Sequence, residues 1–340
     1  MKGGEPYITI GMTTYNRPEF LRESVESVLR QTSQDFELII SNDYLAVPVT
    51  FDSLGVAYDI RISIVNQAIN LGEVSNMNYL LNTARGEWFM WLADDDMLHP
   101  DFLAIACRTI LENPAMKVSG FFSNFASAAN PFNVFPRALN GNKCSFFDRA
   151  RFLKDYSHRK IALVGVYGLM RTDLLRKNGG VIQLGNSFSP YSDNLIPIML
   201  VQHGHIAWLD EQLIFLRTHA GSISSNSTVL SAFTSAEDDF LDYLEPNCAA
   251  DRSNVNAEQI KANMIRWFAH NELAVLLRDS SLKIVPALKL FFAYQVKYHL
   301  PRLSLRYKLC HIAYALGLTT TNIIHKLKLG LHAVMRAGKH

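Results

Sequence analysis

Four short apolar runs, each closed by polar residues, set the pattern of the first hundred positions. They are YITIGM (Tyr7–Met12), FELIIS (Phe36–Ser41), DIRISIV (Asp59–Val65) and EWFMWLA (Glu87–Ala93). β-Branched and aromatic residues dominate them, and each is short enough to read as a buried strand. Between them the period changes. Leu21, Val25, Val28 and Leu29 fall on one face of a helix that Pro18 can open, and VSNMNYLLNTA reads as a second helix. Strand–helix alternation with apolar strands predicts a mostly parallel sheet covered by helices on both faces, a Rossmann-like α/β fold. Ligands of such sheets bind at the carboxyl ends of the strands. Thr13 to Arg17, Asn42–Asp43 and Asp94 to Asp96 follow strand ends directly, so polar residues converge on one edge.

Beyond position 120 the pattern loosens. Residues 120–160 read as irregular and rich in Phe, Asn and Ser. Gly165 and Gly168 lie near a strand, followed by a helix running toward Gly179. YSDNLIPIMLVQHG predicts a helix capped by Ser192 or Asp193, and Ile206–His219 a pair of strands. A mobile polar loop is expected over 222–235, with helices from about 236 onward.

Charge divides the chain. Residues 1–254 carry 20 Lys and Arg against 28 Asp and Glu, whereas residues 255–340 carry 13 against 3, and no acid follows Asp279. The overall balance of +2 argues against a dedicated nucleic-acid binder. The basic end suits an anionic surface: Lys283, Lys289, Lys297, Arg302, Arg306 and Lys308 alternate with Leu288, Leu290, Phe291, Phe292, Tyr294, Leu303, Leu305 and Tyr307. Cys107, Cys144, Cys248 and Cys310 are scattered with no CxxC pair, as reduced cytosolic thiols are. No apolar signal region follows Lys2, and no run reaches the roughly 18 apolar residues of a spanning helix. A cytoplasmic protein, peripheral on the inner face of the membrane, is the expectation.

The candidate chemistry centres on Asp94, Asp95 and Asp96, three like charges at the end of a buried strand. They are either a solvated turn or a cation site. Carboxylate oxygens suit Mg²⁺ or Mn²⁺, and such ions complete their shell with phosphate oxygens and water. No GxGxxG or P-loop pattern accompanies them. Asp43 could accept from a base or cap a turn; Asp193 could act chemically or cap its helix; His219 reads equally as a packing residue, and His99 as structural.

Taken in order, ITIGMTTYNRPEFLRESVESVLRQTSQDFELIISND, NLGEVSNMN, ARGEWFMWLADDDMLHPDFL and YSDNLIPIMLVQHG resemble the family 2 inverting glycosyltransferases, over roughly residues 7–222. The resemblance implies a GT-A fold, a nucleotide diphosphate-sugar donor (UDP-sugar favoured) and a divalent metal, Mn²⁺ or Mg²⁺. It implies donor contacts at Thr13, Tyr15, Asp43, Asn78 and Asp94, with Asp95 as the metal-reaching aspartate of the DXD motif. It implies Asp193 as the general base and His219 as a group near the metal or diphosphate. Gly165–Gly168 resembles the glycine-bearing stretch against which the donor lies. Three positions depart from the family pattern: Ala93 stands at the first DXD position, Asn42 where an acid is usual, and Met77 where an Arg is frequent. The expected organisation is a GT-A catalytic domain at 1–225 and a helical, basic C-terminal region at 226–340. The expected acceptor is a hydroxyl of a glycan or lipid-linked glycan. The rival readings are a nucleotidyltransferase on a related sheet, for which only Arg17 is offered to a triphosphate, and a non-catalytic sugar-nucleotide binder or scaffold.

Overall fold

The computed structural model describes residues 6–129, 139–185, 189–219, 230–249, 257–278, 284–304 and separate positions between 307 and 319. The chain divides into two compact units, Met1–Ser222 and Ile223–His340.

The first unit is built on one nine-stranded sheet. Its first half is parallel: β1 (Ile8–Thr14) lies between β2 (Phe36–Asn42) and β4 (Trp88–Ala93), and β3 (Ile62–Asn66) flanks β2. The chain leaves β1 through helix α1 (Pro18–Leu29) toward β2 on one side. It returns through α3 (Glu73–Thr83) to β4 on the other. That reversal opens a crevice at the carboxyl ends of β1 and β4, the switch point at which open α/β sheets bind ligands. A short helix, α2 (Phe51–Leu54), precedes β3. The strands are apolar throughout because both faces are covered: Ile8, Ile10, Met12, Met90 and Leu92 pack with Leu21, Val25 and Val28 of α1 in the main core.

The second half of the sheet is mixed. β5 (Met97–Leu98) follows the aspartates, and helix α4 (Phe102–Glu112) leads to β6 (Val118–Ala128). Then come β7 (Ser145–Phe147), α5 (Arg149–Ser157), β8 (Leu169–Arg171), α6 (Thr172–Lys177), α7 (Ser192–Leu200) and β9 (His205–Arg217). The order across the sheet is β3-β2-β1-β4-β8-β6-β9-β5, with β7 also on β9.

Several expectations change here. The stretch read as irregular contains the 11-residue strand β6, whose Gly, Ser and Asn residues hide its strand character. The expected pair of strands over 206–219 is the single 13-residue β9. The polar pair Asp210–Glu211, which reads as a turn, is instead a bulge: Ser123 pairs with Leu209 and Asn124 with Gln212. Glu211 folds inward there and accepts from Asn140 N and Nδ2 at 3.1 Å and from Asn142 N at 2.9 Å. The third strand begins at Ile62, because Asp59 holds Arg61 N at 2.9 Å and Ile62 N donates to Asp59 O in a turn. Neither Ser192 nor Asp193 caps α7; Tyr191 occupies that position at φ 70°, with no side-chain cap. Of the expected 222–235 loop, residues 222–229 lie outside the described residues and 230–235 are helical.

The second unit contains α8 (Leu230–Ala249), α9 (Ala257–Arg278) and α10 (Ile284–Tyr294), then a π-turn at Gln295–His299 and a 3₁₀ turn at Leu300–Arg302. Phe240 and Phe268 meet edge-to-face with centroids 5.4 Å apart. Phe291, Leu303 and Tyr307 are buried, so these members of the basic, apolar stretch serve the unit's own packing, while Leu290 and Val296 are exposed. Lys283, Leu305 and Arg306 lie outside the described residues. Among the described residues no helix is long and apolar enough to cross a membrane.

One polar knot ties the amino ends of the central strands. Buried Glu37 on β2 accepts from Thr9 Oγ1 at 2.7 Å, Arg85 N at 2.9 Å and Arg85 Nε at 2.8 Å, and Gly86 N donates to Thr9 Oγ1 at 2.8 Å. Replacing Glu37 with Ala leaves buried donors without an acceptor. The expected loss is about 1–3 kcal/mol of stability, read from the urea midpoint.

Candidate active site

Asp94, Asp95 and Asp96 form the turn after β4, and each carboxylate has a different set of partners. Asp94 accepts from Thr14 Oγ1 at 2.7 Å, Tyr15 N at 3.3 Å and Arg17 Nη1 at 3.1 Å. Asp95 Oδ2 meets Arg17 Nη1 at 3.0 Å and His219 Nε2 at 2.8 Å. Asp96 turns inward: Arg217 N donates to its Oδ1 at 2.8 Å, the Tyr167 hydroxyl donates to its Oδ2, and its backbone oxygen accepts from Ser24 Oγ at 2.6 Å. All three are buried.

These environments separate the three acids chemically. Burial pushes the pKa of Asp96 up to about 7, and the neighbouring Asp95 charge adds to the effect, while the Tyr167 and Arg217 hydrogen bonds oppose it. Burial also raises Asp94, against the Thr14 hydrogen bond and the Arg17 charge. Asp96 therefore anchors the turn, while Asp94 and Asp95 share the Arg17 guanidinium.

The elements that position these groups converge from distant parts of the chain. Asn16, at φ 55°, turns the chain sharply between β1 and α1 and so brings Arg17 over the aspartates. Arg217, at the end of β9, donates from Nε to Asp95 O at 3.0 Å and pairs with Glu23. Phe20 is packed between the His219 ring, 4.8 Å away, and the Arg217 guanidinium, 4.6 Å away.

Around this centre, Asp43 at the end of β2 accepts from Leu71 N at 2.7 Å and Gly72 N at 2.8 Å, holding the turn into α3. Tyr15 is exposed and meets Tyr44 edge-to-face at 5.1 Å. Asp193 sits in the first turn of α7. Burial raises its pKa to about 6, backbone N–H groups of Asn194 and Gly165 and its own amide pull it down, and the charge of Glu73 raises it further. Asn194 Nδ2 also donates to its Oδ1 at 2.7 Å. Gly165 allows this loop to close: a Cβ there would lie 1.7 Å from Asp193 O.

Residues 9–162 match the family model described as "Glycosyl transferase family 2". The match covers less than half of the chain and marks a likeness to that family. An uncharacterized glycosyltransferase of Rickettsia felis is 29% identical over 96 residues, which are 28% of this chain and 16% of that relative's length. Among solved structures, S. aureus TarS 1–349 in complex with UDP-GlcNAc is similar with a TM-score of 0.60 at 15% identity, covering 95% of this chain and 92% of that one. The mannosyltransferase PcManGT from Pyrobaculum calidifontis, in complex with GDP-Man and Mn²⁺, gives a TM-score of 0.50 at 15% identity, covering 94% and 87%. These likenesses bear on the fold, which is GT-A.

Thr13, Tyr15, Asp43, Asp94, Asp95 and His219 lie on one strand-end edge of the sheet. Thr14 rather than Thr13 makes the hydrogen bond to Asp94. Asn78 departs from expectation. Its amide donates to Val181 O at 2.8 Å and accepts from Val181 N at 2.9 Å, so the side chain tethers α3 to the segment after α6 rather than reaching a donor. Arg17, Glu73, Tyr167 and Arg217 are the residues that sequence reasoning missed as parts of the site. Arg17 was legible, as a cation in the first turn after a strand end; Glu73, Tyr167 and Arg217 carried no such signal. Solvent reaches Glu73, yet the surrounding protein raises its pKa first, with Arg17 lowering it and Asp95 raising it. Glu73 lies within electrostatic range of both Asp95 and Asp193.

The donor set fits a divalent ion. Asp95 Oδ2 and His219 Nε2 offer an oxygen and a nitrogen 2.8 Å apart, close to the ~3 Å between neighbouring ligands in a compact shell. Two protein ligands leave room for diphosphate oxygens and water.

Proposed function

We propose that the protein is an inverting glycosyltransferase. It moves a sugar from a nucleotide diphosphate-sugar, UDP-sugar favoured, to a hydroxyl of a glycan or lipid-linked glycan. The reading rests on the Asp95–His219 donor set at the strand ends, together with an Asp193 carboxyl at the start of α7 whose pKa is raised to about 6. The ligands named for TarS and PcManGT, UDP-GlcNAc and GDP-Man with Mn²⁺, support a nucleotide-sugar donor.

In this reading the base stacks beside Tyr15 and Tyr44, with Asp43 and Thr13 reading its edge and Asp94 the ribose side. Asp95 and His219 would hold Mn²⁺ or Mg²⁺, and a bound ion would supply positive charge for a leaving diphosphate. Arg17 adds a fixed cation at the same strand end. Asp193 takes the proton of the acceptor hydroxyl as that oxygen attacks the anomeric carbon from the face opposite the breaking bond. Such assistance is worth about 10²–10⁴ in rate. A carboxyl titrating near 6 is ionised at neutral pH yet more basic than an ordinary aspartate. Cytoplasmic placement with peripheral attachment to the inner face of a membrane accompanies this reading. Exposed Leu290 and Val296, beside exposed Lys289 and Lys297, support it.

Three outcomes test this function. UDP with Mn²⁺ should raise the melting temperature of the wild type more than dTDP, GDP or CDP; stabilisation is about 2.7 kcal/mol at a hundredfold excess over Kd, and Asp95→Asn should erase it. If no nucleotide shifts melting, the donor site is refuted. Asp193→Asn should keep the shift and lower turnover about 10²–10⁴-fold. Because the base works deprotonated, wild-type turnover at saturating donor should rise with pH through about 6 and then level off. An acid limb surviving in Asp193→Asn would assign it elsewhere. For the membrane, sedimentation with anionic vesicles should show binding that salt weakens; absence of binding at low salt removes the attachment.

A further inference from the structure

The helical unit holds a second cluster of ligand-type side chains, within its own core. Glu237 of α8, Glu272 of α9 and His299 of the π-turn each aim one ligand atom at the others, all within 4.8 Å, and all three residues are buried. His299 Nε2 lies 3.2 Å from Glu237 Oε2 and 3.6 Å from Glu272 Oε1.

The hydrogen bonds behind the cluster determine which atoms carry protons. Gln295 Nε2 donates to Glu272 Oε2 at 2.6 Å, which orients the amide so that its Oε1 can only accept. Two imidazole nitrogens approach that oxygen, His299 Nδ1 and His311 Nε2, each at 2.8 Å. Both must therefore be N–H donors. His299 Nε2 points at the two carboxylates, within hydrogen-bonding distance of Glu237 Oε2. Glu272 Oε1 has no hydrogen-bond partner and its residue is 0% exposed. Three ligand-type atoms thus converge in one buried space within the helical unit.

We propose that Glu237, Glu272 and His299 form a structural metal site for a divalent transition ion, Zn²⁺ by preference. Bonds of about 2.0–2.1 Å to tetrahedral ligands put neighbouring donors ~3.3 Å apart, which the 3.2 and 3.6 Å separations match. One nitrogen and two oxygens suit zinc, with a fourth position for water. Gln295 supplies the outer support of a metal-bound histidine: it receives the Nδ1 proton and fixes the ring, while His311 holds Gln295 in turn. The π-turn that brings Gln295 and His299 onto the cluster is a geometry common at functional sites. Carboxylates from two helices with a histidine from a third segment are a familiar way of building metal sites inside helical bundles. The ion would join α8, α9 and the end of α10 independently of the sheet's strand-end site.

The test uses the untagged full chain carrying Asp95→Asn, so that the glycosyltransferase site does not contribute. After equilibration with Zn²⁺ and exhaustive dialysis, elemental analysis should find about one equivalent per chain. Glu272→Gln and His299→Gln should each lose it, and Gln295→Met should weaken it about 10–100-fold. Should either ligand variant fail to fold, Co²⁺ in the Asp95→Asn chain gives an independent reading: visible bands of a four-coordinate ion bound to one nitrogen and otherwise oxygen support the site. Zinc absent from the Asp95→Asn chain would mean that a shared proton holds the cluster, and overturns the proposal. So would stoichiometric zinc that survives both Glu272→Gln and His299→Gln.

Discussion

Three consecutive carboxylates at the mouth of a buried strand are tolerable only if each is given its own compensation. The site is organised around that requirement. Asp94 is held by the end of β1 and the start of α1, Asp95 by Arg17 and the histidine beyond β9, and Asp96 by Tyr167 and the backbone of Arg217. Satisfying the turn therefore pins together the two central strands, the first helix, the glycine-bearing loop and the last strand of the sheet. Repulsion that would open an isolated DDD sequence becomes the reason these segments meet.

The same economy of charge prepares the edge for an anionic ligand. Arg17 neutralises two aspartates at once, and the remaining negative charge is distributed among groups with distinct tasks. Asp96, raised to about 7, is sealed into the fold; Asp193, raised to about 6, stands on a separate helix within electrostatic range of Glu73. Two acids moved in the same direction by burial thus acquire different uses, because one is tied by a tyrosine and a backbone amide and the other sits at a helix start beside Gly165. The αL conformation of Tyr191 just before that helix is unusual for a bulky residue and coincides with the candidate base.

The helical unit answers buried polarity differently. Its His299–Gln295–His311 chain orients one imidazole toward two buried glutamates. Where the sheet edge disperses like charges among arginine, histidine, tyrosine and amide partners, the helical core gathers ligand atoms toward one point. The first arrangement is open to a substrate; the second is closed and serves cohesion.

How far these features were legible from the chain depends on whether their causes are local. Apolar strands covered on both faces announce themselves by continuous β-branched runs, so β1, β2 and β4 and the helix after β1 were readable, as was the edge on which Asp43, Asp94 and Asp95 emerge. The resemblance to the family 2 glycosyltransferases was readable for the same reason, since its motifs sit at those strand ends in a fixed order. Features that depend on a distant partner were not. The Asp210–Glu211 bulge exists because β6 and β9 pair out of step, and so a polar pair that locally resembles a turn lies inside a strand. Asn78 faces Val181 instead of a donor because α3 packs against the segment after α6. Phe291 and Leu303 cover a core rather than a surface because α10 and its π-turn meet other helices. By itself the sequence determined the period, burial and order of the elements, all of which arise from neighbours along the chain. Only the tertiary structure decided which of its many polar side chains face one another, because hydrogen bonds and charge pairs across some 70 to 120 residues leave no local periodic trace.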